Sequence, residues 1–229
     1  MKSNFIIIFI ISIVLPLTKE YDVNLYGIPV ANVLISEEKI FFNNHKSIKI
    51  TYETTTNKFT SNLFKIDNFY ETIIDEQTLR VLSFKKTTFQ PNVTNNLYTN
   101  IINDTVKYFK TDTILPKNTF NIFSLLYYLS NTEFDLINND VLVEREGLLY
   151  NCRIFKVKKN NNNIEIKLDL DLVNNKSDAI IKHTDIFTWG LFKEGSINSL
   201  LIKDREIKSC NFKSGFTNLK SSLKKEGSP

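Results

Sequence analysis

Strict alternation of apolar and polar residues constrains this chain more than any other feature. In Ile164-Glu165-Ile166-Lys167-Leu168-Asp169-Leu170-Asp171-Leu172 every second residue is aliphatic, which is the two-residue period of a strand. A one-residue slip in pairing would put all of those aliphatic side chains into water, so such a strand specifies its own register. Ile48-Lys49-Ile50-Thr51-Tyr52-Glu53 repeats the pattern. One wet face and one buried face point to an antiparallel sheet rather than a parallel sheet covered on both sides.

Further strand-like segments run over 21–26, 29–36, 63–74, 79–89, 105–109, 141–146, 148–158, 186–192, 197–203 and 207–212. Turn residues separate them: Gly27, Asn43-Asn44, Asn103-Asp104, Gly147, the run Asn160-Asn161-Asn162-Asn163, Gly195 and Gly215. Short strands at this spacing predict a mainly β protein, an antiparallel, partly open β-barrel of about ten strands. No internal repeat or Pro/Gly/Ser-rich linker divides the chain, so 19–219 reads as one domain, and the polar end 220–229 as a flexible tail.

One segment breaks the alternation. After Asn118-Thr119, residues Ile122, Leu125, Leu126 and Leu129 fall at i, i+3, i+4 and i+7, the stripe of a packed helix. Asn118 or Thr119 supplies an N-cap, accepting a bond from a free backbone N–H. The other face carries Phe123, Tyr127 and Tyr128, so a single packed α-helix over about 119–130 is buried on more than one side. It is placed across the open side of a curved sheet.

The N-terminus carries an address. Lys2 precedes the apolar run Phe5-Ile6-Ile7-Ile8-Phe9-Ile10-Ile11, which continues through Ile13-Val14-Leu15 to Leu17 before Thr18-Lys19-Glu20. A basic tip and a short apolar stretch describe a secretory signal peptide over 1–18. The run is shorter than the ~20 residues a spanning helix needs. The expectation is a secreted or periplasmic protein after cleavage, with membrane association only through the leader if it stays uncleaved.

Composition narrows the chemistry. The net charge is only +4, with acids spread along the chain, so nucleic acid is not an expected partner. Four arginines (Arg80, Arg145, Arg153 and Arg205) against a much larger set of lysines speak against bidentate phosphate recognition. His45 and His183 are too few and too far apart for a metal site, and no cofactor motif is present. Cys152 and Cys210 either pair in an oxidising compartment or remain two buried thiols. The acid pairs Asp75-Glu76, Asp169/Asp171 and Glu144/Glu146 read as turn or solvent-face residues. No catalytic residue is therefore expected, and the chain reads as non-enzymatic.

What stands out is the aromatic supply of 18 Phe, 9 Tyr and a single Trp. Strand alternation over Phe187-Thr188-Trp189-Gly190-Leu191-Phe192 puts Phe187, Trp189 and Leu191 on one face. With Phe123 and Tyr127 of the helix they are the expected walls of an apolar ligand cavity. The same residues fill a ligand-free barrel interior equally well.

Three stretches together resemble an uncharacterised bacterial envelope family, domain of unknown function three-one-zero-eight. They are Tyr26-Gly27-Ile28-Pro29-Val30-Ala31, then Tyr70-Glu71-Thr72-Ile73-Ile74-Asp75 with Thr78-Leu79, and the helix ending in Leu126-Tyr127-Tyr128-Leu129. Lys203-Asp204-Arg205-Glu206-Ile207 is similar to the family's last strands, although Arg80 and Lys208 stand where two prolines are expected. The resemblance implies a periplasmic, partly open β-barrel like the lipoprotein carriers, and no catalytic residues. Two readings follow. One is a carrier binding a lipid or a lipoprotein acyl chain in its barrel. The other is an envelope assembly or scaffolding protein with a solid barrel, which binds protein partners through edge strands.

Overall fold

A computed structural model of the chain describes residues 16–103, 105–159, 163–173, 179–215 and 217–224. Nearly all of the expected leader, most of the asparagine run and the last five residues lie outside them. The described chain is a ribbon of strands interrupted by two short helices. Its first part runs β1 (Leu17–Leu25), β2 (Ile28–Phe42), β3 (His45–Thr56), β4 (Asp67–Asp75), β5 (Val81–Gln90), β6 (Val93–Ile102), β7 (Thr105–Tyr108) and β8 (Ile114–Leu115). After β9 (Thr119–Phe120) and α1 (Ile122–Asn131) come β10 (Asp140–Arg145), β11 (Leu148–Lys159), β12 (Asn163–Leu172) and α2 (Ile186–Phe192). Then β13 (Ile197–Lys203), β14 (Glu206–Ser214) and β15 (Thr217–Leu223) complete the fold.

The strands form one sheet in the order β8-β7-β6-β5-β4-β3-β2-β1-β15-β14-β13-β12-β11-β10-β9. It wraps into a nearly closed barrel. The first and last strands meet in its middle, from Tyr21 opposite Leu223 to Leu25 opposite Leu219. Each half is an up-and-down walk away from that central pair. Two-residue hairpins make the walk possible: Asn43-Asn44, Glu146-Gly147 and Asp204-Arg205 all take positive φ at both positions. That is the type I′ turn, whose twist matches the flanking strands.

Several expectations need correction. There are 15 strands, not about ten, and β9 runs parallel to β10 through Leu142 opposite Thr119. The unexpected strands are β6, β8, β9 and β15; β8 and β9 have two residues each, too short to leave an alternation in sequence. Residues 220–223, placed in a free tail, lie in β15 and pair with both β14 and β1. Thr119 belongs to β9, so the first helix starts at Ile122 with Asn121 as its cap. Segment 186–192, read as a strand, is the second helix α2. Its side chains accordingly follow the 3.6-residue period and not the two-residue one.

The long alternating strand keeps its reading over its first part, where Ile166 and Leu168 are buried and Ile164 is half-buried; Leu170 is half-buried and Leu172 at the far end is exposed. Cys152 and Cys210 are both free and buried. Three ladder steps, β11 to β12 to β13 to β14, separate their strands, roughly 14 Å at the usual strand spacing. That is beyond the ~7 Å reach of a disulfide, so the pairing is corrected to two separate thiols. Burial pushes each thiol up to about 12, which leaves them protonated and inert.

Helix α1 plugs the barrel. Ile122, Phe123, Leu125, Leu126, Tyr128 and Leu129 are all buried. Asn121 holds its N-terminus: Oδ1 accepts from Ser124 N at 2.9 Å, and Nδ2 donates to Thr72 Oγ1 on β4 at 2.8 Å. The Ser124 hydroxyl in turn accepts from Asn121 N at 3.0 Å, closing a capping box. Replacing Asn121 with Ala removes a cap worth about 1 kcal/mol and unpairs part of a buried polar contact. Urea unfolding of Asn121→Ala is expected to show a loss of about 2 kcal/mol, whereas Asn131→Ala, at the exposed end of the same helix, changes little.

Candidate functional site

The interior is not solid. A cavity of about 430 Å³ lies between the wall formed by β1, β2, β3, β14 and β15 and the two helices. Alternation builds its wall. Tyr21, Val23 and Leu25 of β1 face in with Ala31, Val33 and Ile35 of β2, while Cys210 and Phe212 of β14 and Leu219 of β15 continue the surface. Phe123 and Leu126 of α1 and Phe187 of α2 close it from the other side. The lining is overwhelmingly hydrocarbon and aromatic; Asn68, the Tyr hydroxyls and a few Thr and Ser side chains bring its polar atoms.

An aromatic stack supports the helical side. The Phe123 ring lies 4.7 Å from both Tyr52 and Tyr70 and 6.2 Å from Phe187, which meets Phe212 edge-on at 5.7 Å. These spacings are those of favourable aromatic pairs. Of the expected wall residues, Phe123 and Phe187 therefore line the cavity together. Tyr127 faces a small neighbouring recess with Lys19 and Glu37. Leu191 is fully buried in the core without lining the cavity. Trp189 is turned outward, 41% exposed, with Lys193 Nζ 4.7 Å above its ring. Helical geometry is the reason: Phe187 and Leu191 share one face of α2, and Trp189 points away from it.

Sequence reading missed a buried polar cluster behind this site. Lys86 of β5, Glu146 of the β10–β11 turn and Asp185 ahead of α2 are each at most 2% exposed, and they form one ion cluster. Lys86 Nζ donates to Glu146 Oε1, lies 2.5 Å from Asp185 Oδ2 and donates to Thr184 Oγ1 at 2.9 Å. Asp185 also caps α2, accepting from Thr188 N at 2.9 Å and from the Thr188 hydroxyl at 2.7 Å. The Tyr70 hydroxyl accepts from Asn68 Nδ2 at 3.1 Å, its ring lies 5.9 Å from Lys86 Nζ, and burial together with the nearby Asp185 carboxylate holds its proton well above the usual phenol range. Both Tyr70 and Asn68 line the cavity, so the cluster sits directly behind its wall.

Glu144 and Glu146 were read as a solvent-face pair, and both are buried. Glu144 Oε1 accepts from the Tyr108 hydroxyl at 2.5 Å and from Gly147 N at 2.6 Å. Desolvation outweighs those bonds and pushes its carboxyl up to about 7. Burial alone would also raise Asp185; the Lys86 ammonium and the Thr188 N–H and hydroxyl overcome it and hold that carboxyl below its ordinary value. None of these acids lines the cavity. Among the described residues no three His, Cys, Asp or Glu side chains gather as a metal site. One sequence signal was available: Asp185 followed by Thr188, with Phe187 and Leu191 one turn apart, is an N-cap ahead of a short helix.

No protein-family model matches the chain, and no curated protein matches it. Among solved structures it is similar to a β-barrel-like protein of the domain of unknown function DUF1849 from Brucella abortus. That likeness has 9% identity over 92% of this chain and 96% of the other, with a TM-score of 0.55. The similarity concerns the fold: an uncharacterised β-barrel domain. It supports the expected uncharacterised β-barrel domain at that level and does not reach the finer assignment to domain of unknown function three-one-zero-eight or to the lipoprotein carriers.

Lys86→Met leaves Glu146 and Asp185 as buried charges without their cation. Thermal unfolding should show a loss of about 3–5 kcal/mol. Glu144 supplies a pH signature. Its folded carboxyl holds a proton between about 4.5 and about 7, where the unfolded one has lost it. That contribution to stability is present at low pH and disappears as pH rises through about 7. Urea midpoints of the parent should fall from pH 5 to pH 8, and those of Glu144→Gln should fall less.

Proposed function

We propose that this is a non-enzymatic secreted or periplasmic protein that holds an acyl chain or a similar amphiphile inside its barrel. The observation carrying the reading is the cavity of about 430 Å³ with its hydrocarbon and aromatic lining. It lies within the roughly 300–1,000 Å³ range of small-molecule sites. An apolar chain entering it would leave water without stranding a charge, because no charged side chain lines the cavity. Apolar transfer then supplies the affinity, at about 25 cal/mol per Å² of area removed from water.

The scaffolding alternative has less behind it. It called for a solid barrel and edge strands long enough to template a partner, but the sheet ends in β8 and β9, two residues each. Edges that short offer few unpaired backbone groups. The compartment in this proposal rests on the leader read from the sequence.

The test is a titration of the mature chain with an environment-sensitive fluorescent fatty acid, followed by displacement with unlabelled amphiphiles. Ala31 faces the cavity and is buried, so Ala31→Phe puts a ring into the void. The parent is expected to bind the probe. Ala31→Phe is expected to bind it at least about tenfold more weakly, with its unfolding midpoint close to the parent's, since the added ring fills existing space. Equal binding by both proteins would remove the cavity from the function.

A further inference from the structure

The cavity opens at one end of the barrel, where three segments meet. The β3–β4 loop is tied to the β1–β2 hairpin by Asn57 Nδ2 donating to Pro29 O and Thr60 Oγ1 donating to Val30 O, each at 2.6 Å. The β14–β15 hairpin joins through Tyr26 N donating to Asn218 O at 3.3 Å. Leu63 and Phe64 of the loop line the cavity and also face solvent. Around them Leu63 is 81% exposed, Phe59 76%, Tyr26 62% and Ile28 58%. A loop held by this many bonds is not free to fold those side chains inward. The apolar rim is a built feature of the mouth.

Charge is distributed to match. Residues 26–30, 57–66 and 213–220 carry Lys58, Lys65, Lys213 and Lys220 and no acid; exposed Asp67 follows at the root of β4, and the adjacent α2–β13 turn adds Lys193 and Glu194, so cations outnumber acids around the mouth. All five lysines are exposed. Hairpins at the opposite end carry both signs, with Asp75, Glu76 and Arg80 in one and Asp204, Arg205 and Glu206 in another. Exposed aromatic and aliphatic side chains ringed by lysine suit the interface of a bilayer, where rings sit at headgroup level and lysines meet anionic phosphate. Each lysine near such a surface adds attraction that salt screens.

We infer that the mouth end docks onto an anionic lipid bilayer, with Phe59, Leu63 and Phe64 entering the interface so that the cavity opens directly against the lipid. The inference rests on the proposed acyl-chain cavity for its purpose, but the docking itself is a property of the rim.

Vesicle flotation of the mature chain separates the two. The chain should float with vesicles of phosphatidylcholine mixed with phosphatidylglycerol, and much less with phosphatidylcholine alone or in high salt. The pair Phe59→Ser with Leu63→Ser, and separately Lys58→Glu with Lys65→Glu, should each reduce flotation by about tenfold or more. Phe41→Ser, an exposed apolar site on the β2–β3 hairpin at the opposite end, should float like the parent. Near-ultraviolet circular dichroism identical to the parent's confirms that these surface variants are folded. Ala31→Phe should still float while failing to take up the fluorescent fatty acid, so loss of the cavity reading does not imitate loss of docking. A parent chain that binds the fatty acid but ignores every vesicle overturns the inference and spares the cavity. A concentration-dependent dimer that Phe59→Ser with Leu63→Ser dissolves, without vesicle binding, also overturns it by assigning the rim to a second copy.

Discussion

The Lys86–Glu146–Asp185 cluster holds together what the backbone ladder leaves open. The sheet begins at β8 and ends at β9, and these two edges are not ladder neighbours. Side chains bridge that seam instead. Lys86 reaches from β5 to the β10–β11 turn and to the cap of α2, the Tyr108 hydroxyl of β7 donates to Glu144 of β10, and Asn121 ties the start of α1 to Thr72 of β4. Every one of these contacts joins the first half of the chain to the second. Buried charges are costly to desolvate, so the cluster tolerates only a geometry in which cation and anions meet. It therefore specifies how the two meanders face each other.

The same cluster positions the candidate site. Asp185 caps α2 while bound to Lys86, which seats a seven-residue helix that could not persist alone. Seated there, α2 presents Phe187 to Phe123 and Phe212 and closes one side of the cavity. Tyr70 belongs to both systems, with its ring between Phe123 and the Lys86 ammonium. Polar specification and apolar volume are thus two sides of one wall. The void persists because rigid strands and a fixed helix hold the surrounding rings apart.

Much of the scaffold was legible in the chain. Ile164 to Leu172 and Ile48 to Glu53 announced paired strands through a period that no other element shares, and Ile122, Leu125, Leu126 and Leu129 announced a buried helix. Segment 186–192 was not legible in the same way. Its aromatic and β-branched residues mimic a strand over seven positions, and only Asp185 and Thr188 hint at the cap that turns them helical. Glu144 and Glu146 were equally opaque. Alternation put them on the wet face, where Asp140 and Leu142 are indeed exposed, but Tyr108 of β7 covers Glu144, and Lys86 of β5 covers Glu146 in the turn that follows.

By itself, the sequence determined the mainly β architecture, the buried helix between the two strand groups and the apolar character of the interior. Local periodicity carries all of these, because each is decided by which side of a strand or helix a side chain leaves. The tertiary structure alone decided the pairing of β1 with β15, the seating of α2, the burial of Lys86 among two carboxylates and the survival of a void behind Phe123. Those outcomes depend on residues more than fifty positions apart coming into contact. No local pattern records which distant partner a charge will find or whether opposing rings will meet.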